Sequence, residues 1–400
     1  MKIAVIIFLI LIGQIDDDLS NGSISLIERI EAPGMSESYL YLTGIFANNK
    51  EDPIDVGLKL IKEYKQLDAD QDYNIIEYPQ SKKIRLPNGK EFCGVEEEGC
   101  LEFLFSSGVD VNRLLLDHQL LIHRSNEFLQ FTEFKTLSKP TPHEYYPPYQ
   151  YIVKAERIKT LDSIDLYLNG EKNQAIDSLY LQFSKIRRSM SMQDNLIGRL
   201  VFLSKLSEII DVMSIILTDS EMEYENIPSL TLAEKSFYMI SAREFGISYY
   251  TLKELDRNPE FFEMGGNTPG WLTRIIYKPN MTINSIASTY HELDRLSRLS
   301  QIDFVSEIEK NNEVTPQTSK LRNYAGNILI GLGPNYNKYV ARFFDFDAKL
   351  AVFNQRYNNK SNAIFNPYDK DEILIESKGS LCFDGPLEYE GNYRCLRVKI

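Results

Sequence analysis

The sequence predicts a mostly α-helical fold, an irregular multi-helix array of antiparallel helical hairpins with a small disulfide-closed β cap at the C-terminus. Long stretches repeat apolar residues at helical spacing. Residues 151–217 hold three such stretches with only short breaks between them. The tail after residue 357 changes to turns and short alternating runs around two cysteines. Hydrophobic residues make up 43% and charged residues 25% of the 400, values that are ordinary for a globular protein.

The charge balance is acidic and uneven along the chain. Lys and Arg number 44 against 57 Asp and Glu, which gives a formal net charge of −13. Most of the excess lies in residues 1–150, which hold 24 acidic and 14 basic side chains. A dedicated nucleic-acid binder needs a basic surface to displace the counterions of phosphate. We therefore expect no nucleic-acid partner.

Residues 1–20 are predicted to be a signal peptide or a membrane anchor. Met1 and Lys2 precede the apolar run 3–12, and Gly13 and the acidic residues 16–18 follow it. One positive charge, about ten apolar residues and a polar stretch are typical of a secretory signal. No A-x-A-like cleavage triplet is present, so residues 3–13 are also compatible with an uncleaved tether. The alternative is a buried first strand of a cytosolic α/β fold, which would call for a glycine-rich turn after it.

Residues 21–150 form the predicted acidic N-terminal helical region. Pro53 fits a helix start, and a helix is expected over 54–67. Leucines predict a second helix from residue 112 to about 129. The prolines at 140, 142, 147 and 148 then indicate an extended connection.

Residues 151–357 form the predicted central helical domain. Helices are expected over 151–168, 171–190 and 192–217, and further on over 230–245, 281–299 and 336–357. Asn169-Gly170 ends the first of these, since both residues tolerate the left-handed conformation. The third is apolar around much of its circumference, which favours burial between neighbours. A G-x₄-A step at Gly170 and Ala175 is typical of tetratricopeptide helix pairs, but no second copy follows, so it indicates a hairpin.

The β-rich cap is predicted over residues 358–400. The four cysteines form two close pairs, Cys93 with Cys100 and Cys382 with Cys395. Local pairing closes small loops and suits an oxidising compartment. A zinc site would prefer C-x₂₋₄-C spacings, and four separate buried thiols are the remaining alternative.

Signatures of catalysis, cofactors and metals are absent from the sequence. No G-x-S-x-G elbow, phosphate-binding loop or dinucleotide fingerprint is present. The four histidines do not share a spacing suited to a metal. Asp68-Ala69-Asp70 starts like a calcium loop, but Tyr73 and Pro79 replace the required Gly and Glu. No catalytic, cofactor-binding or metal-ligating residue is therefore assigned.

Tyrosines beside prolines give the most distinctive candidate binding patch. Tyr145, Tyr146 and Tyr149 flank Pro147 and Pro148. Such rings offer apolar area to a peptide or glycan at low entropic cost. The alternative is that they pack at a domain boundary, since large aromatics usually bury.

Several stretches together resemble a group of uncharacterised exported proteins of Gram-negative bacteria, periplasmic or anchored in the inner membrane. The stretches are residues 38–44, 51–53 with Gly57, 195–198, 277–284 and 362–369. The resemblance implies an envelope location and a helix-rich fold. It implies no activity and no site residue.

These observations predict an exported, non-catalytic binding or assembly protein of the cell envelope. We expect a protein partner there and a periplasmic location, with an inner-membrane tether as the anchored form. The alternative is an envelope hydrolase of glycans or peptides with a carboxylate site that no motif reveals.

Overall fold

A computed structural model describes most of the chain. The described residues are 15–31, 36–66, 78–106, 108–142, 144–219, 224–262, 270–310, 317–358, 363–388 and 393–400. Residues 3–13 of the predicted signal or tether, and the calcium-like run at Asp68, lie outside these ranges. Within them, no helix is both long enough and apolar enough to cross a membrane.

The fold is mostly helical, at 63% helix, as the sequence predicts. The α-helices are α1 Asn21–Glu31, α2 Glu37–Thr43, α3 Pro53–Gln66, α4 Cys100–Leu104, α5 Val111–Asp117, α6 Gln119–Phe128, α7 Gln150–Leu168, α8 Lys172–Met192, α9 Leu196–Thr218, α10 Leu232–Lys235, α11 Tyr238–Glu254, α12 Gly270–Ile276, α13 Pro279–Ser297, α14 Gln301–Lys310, α15 Tyr324–Gly331 and α16 Asn337–Asn358. Short 3₁₀ turns lie at Gln80–Lys82, Lys90–Phe92, Leu255–Arg257 and Pro259–Phe262.

The predicted C-terminal cap is confirmed. Strands β1 Glu376–Ser377, β2 Ser380–Cys382 and β3 Cys395–Arg397 form an antiparallel sheet in that order. Cys382 lies directly opposite Cys395 in the register, and a disulfide joins them. Cys93 and Cys100 form the second disulfide, so both local pairings are confirmed. The two bonds indicate an oxidising environment.

The chain forms two compact units, each built from separate stretches of sequence. The first unit contains Met1–Pro33, Lys139–Glu144 and Ser236–Val340, and the second contains Gly34–Ser138, Tyr145–Lys235 and Ala341–Ile400. The division at residues 20, 150 and 357 that the sequence predicts stays a prediction.

The core of the first unit lies among α1, α11 and α13. Leu26, Phe245, Ile283 and Tyr290 belong to one buried apolar cluster there. Phe245 and Tyr290 meet edge to face with ring centroids 5.5 Å apart. Apolar residues spaced by three or four positions place these side chains on one face of each helix.

The helical hairpins of the second unit centre on α7, α8 and α9. Gly170 adopts φ +88° between α7 and α8, which ends α7 where the sequence predicts. Helix α9 begins at Leu196 because the side chain of Asn195 accepts a hydrogen bond from the Gly198 amide. Nearly all of α9 is buried, as its apolar circumference predicts.

Two predicted helices divide in the structure. The helix expected over 112–129 ends at Asp117 and resumes at Gln119 as α6, with the His118 backbone outside helical geometry (φ −119°, ψ 23°). The helix expected over 230–245 divides into α10 and α11. Helix α11 continues to Glu254, and the Phe237 amide donates to Ser297 Oγ just before it begins.

Candidate functional site

A cavity of about 1100 Å³ lies within the second unit. Helices α7 and α9 line it together with the backbone around Cys93, with Arg342 of α16 and with the β cap. Ligand sites are usually concave and of this order of size. The cavity is therefore the candidate binding site.

A buried ion-pair cluster lies at the wall of the cavity that α7 and α9 form. Glu208 Oε1 accepts from Arg157 Nε and from Lys205 Nζ, each at 2.7 Å. Arg157 Nη1 also donates to the carbonyl oxygens of Glu91 and Cys93, at 3.1 and 2.9 Å. One guanidinium thus joins α7, α9 and the first disulfide loop. Each of these charged groups has a partner, which offsets the free-energy cost of removing it from water.

The electrostatics of this cluster keep Glu208 ionised. Burial alone would raise its pKa, but Lys205 and Arg157 outweigh that effect and lower the pKa to about 2. Burial lowers the pKa of Lys205 to about 8, although Glu208 opposes the shift. A general acid at neutral pH needs a raised carboxyl pKa. Glu208 has the opposite shift and acts as a fixed counter-charge.

The β cap contacts α9 at Asp211, which also forms a second buried ion pair with Lys349 of α16. Lys349 Nζ lies 2.8 Å from both Asp211 Oδ2 and Ser207 Oγ. Asp211 Oδ1 accepts from the Arg397 backbone amide at 3.0 Å. Because this contact uses the backbone of β3, it fixes the strand while leaving the Arg397 guanidinium at the cavity.

Arg397 offers donor capacity that the described residues do not use. Its Nη1 donates to Ser380 Oγ at 3.1 Å. Its Nε is buried and has no acceptor within the described ranges. Buried polar atoms are almost always paired with protein, water or ligand. The Nε of Arg397 therefore keeps unused donor capacity among the described residues.

Two lysines add positive charge to the lining. Lys154 Nζ lies 4.5 Å from the centre of the Phe92 ring. Burial lowers the pKa of Lys154, and the neighbouring charge of Arg157 lowers it further, while Glu91 acts in the other direction. Lys378 is exposed at the β1–β2 turn and has no ion-pair partner in the described part of the chain. Both ammonium groups are available to an anion.

The lining of the cavity is cationic although the protein is acidic. Five basic side chains lie around it, against the carboxylates of Glu96 and Glu208. Glu208 is already matched by Arg157 and Lys205, and Phe92 and Tyr393 contribute rings to the same wall. Such a lining can bind an acidic group through charge-assisted hydrogen bonds and an apolar portion by packing.

The structure places the predicted cysteines at this cavity. Cys93, Cys382 and Cys395 line it, and Cys100 is bonded to Cys93. The two disulfides thus fix two of the segments that line the cavity, a role that cysteine spacing alone does not indicate.

The three candidate tyrosines do not form one exposed surface. Tyr149 is only 5% exposed, and its hydroxyl donates to Gln193 at 2.9 Å. Tyr145 packs near Tyr64, with ring centroids 6.3 Å apart, while Tyr146 is exposed. The burial of Tyr149 agrees with the alternative that these tyrosines pack inside the protein and do not offer a binding surface.

Sequence reasoning missed the charged residues of the cavity. Helix α9 is mostly apolar but carries four charged residues, and their presence was the available signal: Arg199, Lys205, Glu208 and Asp211. Charges on a helix that is buried all round must be paired or functional. The partners Arg157 and Lys349 are distant in sequence, so no local pattern identifies them.

No metal or cofactor site emerges from the part of the chain that is described. No group of three or more His, Cys, Asp or Glu side chains there could hold a metal ion. Comparison with known proteins adds no assignment, since no family model, curated protein or solved structure matches the chain.

Proposed function

We propose that this protein is an exported, non-catalytic binding protein of the cell envelope, located in the periplasm, whose cavity takes a small acidic ligand. The ligand would carry a carboxylate, sulfonate or phosphate group beside a ring or another apolar portion. The observation that carries this proposal is the charge of the cavity lining, where five basic side chains lie against two carboxylates and Lys378 is exposed without an ion-pair partner in the described part of the chain.

The arrangement supports binding more than hydrolysis. A glycosidase needs two carboxyl groups in complementary roles, one of them an acid that is protonated at working pH. Glu208 accepts two charge-assisted hydrogen bonds and its pKa is lowered to about 2, so it is unsuited to donate a proton. The cations instead offer fixed donors, which suit recognition of an acidic group.

The proposal also rests on the compartment that the disulfides indicate. Both disulfides hold segments that line the cavity, and structural disulfides are typical of compartments where thiols are kept oxidised. The periplasm is such a compartment, and the apolar run at residues 3–12 has the composition of an export signal.

Titration with four matched aromatic probes tests the proposal. Benzenesulfonate and benzoate carry the proposed anion, whereas benzyl alcohol and benzylamine are neutral and cationic analogues. We expect calorimetry to detect binding of the anions alone, weakening as salt is raised. The double variant Arg397→Gln/Lys378→Gln should lose at least tenfold in affinity.

The control for this titration is Lys62→Gln, which removes an exposed lysine on α3 of the same unit. It should bind like the unaltered protein. Equal binding of benzylamine and benzoate, or equal affinities for the double variant and the control, would contradict the proposal.

A further inference from the structure

Helix α15 in the first unit exposes an apolar face. Tyr324 and Ile328 lie one turn apart on the helix, Leu332 follows Ile328 by four residues at the C-terminal end, and Leu321 lies in the turn before the helix begins. Their exposed fractions are 63%, 51%, 75% and 96%. This set, called here the α15 face, meets no neighbour that would cover it among the described residues.

The opposite side of α15 is firmly held, which fixes the direction of the α15 face. Ala325 packs with Leu255 and Tyr277 in a buried cluster. At the N-terminus of the helix, Asn323 Oδ1 accepts from the Lys278 amide at 2.8 Å, and Asn323 Nδ2 donates to Thr282 Oγ1 at 2.9 Å. The face therefore cannot turn inward without breaking these contacts.

The N-terminal end of the described chain is attached beside this face. Arg322, the residue after Leu321, donates through Nη2 to the Ile15 carbonyl oxygen at 3.0 Å and to Asp17 Oδ1 at 3.2 Å. Asp16 accepts hydrogen bonds from the Asn280 and Met281 amides at 2.8 and 3.1 Å. Ile15 is thus fixed at the edge of α15.

The number of residues between Ile15 and the apolar run 3–12 limits how far that run can lie from the α15 face. Three residue steps separate Ile12 from Ile15, and an extended chain covers about 3.5 Å per residue, so they lie within about 11 Å. If the apolar run is retained and enters a bilayer, Ile15 and its neighbour Arg322 are held at the bilayer surface. An exposed apolar helix face at that position fits the interfacial region of a membrane.

We propose that the α15 face docks on a lipid bilayer surface, beside the point where the N-terminal apolar segment enters it. Leu321, Ile328 and Leu332 insert among the acyl chains, and the Tyr324 ring lies at headgroup depth, where tyrosine is enriched. Lys320 is exposed beside the face and favours anionic headgroups, whereas Arg322 is paired with Asp17. The inference does not depend on the ligand of the cavity, which lies in the other unit.

The test uses the full chain with vesicles of phosphatidylethanolamine and phosphatidylglycerol. Hydrogen–deuterium exchange should slow severalfold over residues 320–335 when vesicles are added. The variant Leu321→Ser/Leu332→Ser changes two residues outside the helix, so α15 can still form, and adding Ile328→Ser completes the set. Both variants should show less vesicle-dependent slowing than the unaltered protein, and the triple variant should show the least.

The matched control is Leu168→Ser/Leu181→Ser, which removes two exposed leucines of the second unit, 45% and 56% exposed. It should keep the slowing. Three results would overturn the proposal: identical exchange with and without vesicles, protection without vesicles because residues 3–12 cover the face, or protection that rises with protein concentration because a second copy covers it.

Discussion

At the scale of single residues, the cavity depends on one carboxylate that holds two cations. Glu208 is the acceptor for both Arg157 and Lys205, and the side chains of all three are less than 10% exposed. Removing one partner from a buried ion pair leaves the other charge without compensation. Losing the Glu208 carboxylate should therefore lower the stability of the protein more than losing one partner of an exposed ion pair would.

The change Glu208→Gln should lower the free energy of unfolding by about 3–5 kcal/mol, because two buried cations lose their counter-charge. Urea denaturation at neutral pH measures it. Glu98→Gln, an exposed position in the first disulfide loop, is the control and should stay within about 0.5 kcal/mol. Equal stabilities of the two variants would show that the cluster contributes little.

Acid titration tests the same carboxylate in the unaltered protein. The folded pKa of Glu208 is about 2, against an ordinary value of 4.5. The unfolded state therefore binds the proton first as pH falls, so the contribution of Glu208 is complete above pH 4.5 and is lost toward pH 2. The slope of unfolding free energy against pH in that window should be smaller in Glu208→Gln. An unchanged slope would contradict the lowered pKa.

At the scale of elements, local patterns predicted the long helices well. Helices α3, α7 and α16 begin and end within a residue or so of the predicted bounds, because Pro53 and Gly170 act on the backbone locally. Helices α1 and α14, of 11 and 10 residues, were not predicted, and neither were the shorter helices α2, α12 and α15. The shorter three contain fewer than nine residues, and tertiary contacts such as those of Asn323 hold them.

The candidate site was predictable only in part for a related reason. Cysteine spacing predicts both disulfides, since each closes a short loop. It does not predict that the two loops meet the same cavity, because that depends on how α7 and α9 pack. Arg157 and Glu208 are 51 residues apart in the sequence, so no local spacing pattern predicts that they pair.

The close packing of α2 on α3 gives a prediction at this scale. A Cβ on Gly57 would overlap the Leu40 carbonyl oxygen, and one on Gly44 would overlap that of Pro53. Both obstacles are backbone atoms and cannot swing aside. Gly57→Ala should therefore destabilise the protein by about 1–3 kcal/mol or more, as overpacking does.

The matched control for that change is Gly331→Ala in α15. A Cβ there meets no atom within 4 Å, and the residue is helical. Alanine should be neutral or stabilise by up to about 1 kcal/mol. Thermal unfolding of both variants makes the comparison, and similar losses for the two would rule out close helix approach as the reason for Gly57.

At the scale of the whole molecule, charge and cross-links are distributed unevenly. The chain has a net charge of −13, yet five of the seven charged residues that line its cavity are basic. An acidic exterior repels anions at long range, so an anion must be held by short contacts inside the cavity, where screening by salt is weaker. Affinity is then set by donors such as Arg397 more than by overall charge.

Both disulfides belong to the second unit, and none of the described residues of the first unit is cross-linked. Their loops have sequence separations of 7 and 13 residues. Loop-closure entropy predicts about 2.5 and 3 kcal/mol for closures of these lengths. Reduction should therefore lower the stability of one unit selectively.

Hydrogen–deuterium exchange with and without a phosphine reductant measures this selectivity. Under native conditions each unit opens with its own free energy, so exchange from α7, α9 and the β strands should accelerate on reduction. Exchange from α11 and α13, which pack around Phe245 and Tyr290, should not change. A variant with all four cysteines replaced by serine should exchange at the same rates as the reduced protein, and the reductant should not change those rates. Equal acceleration in α11 and α13 would mean that the two units unfold as one cooperative structure.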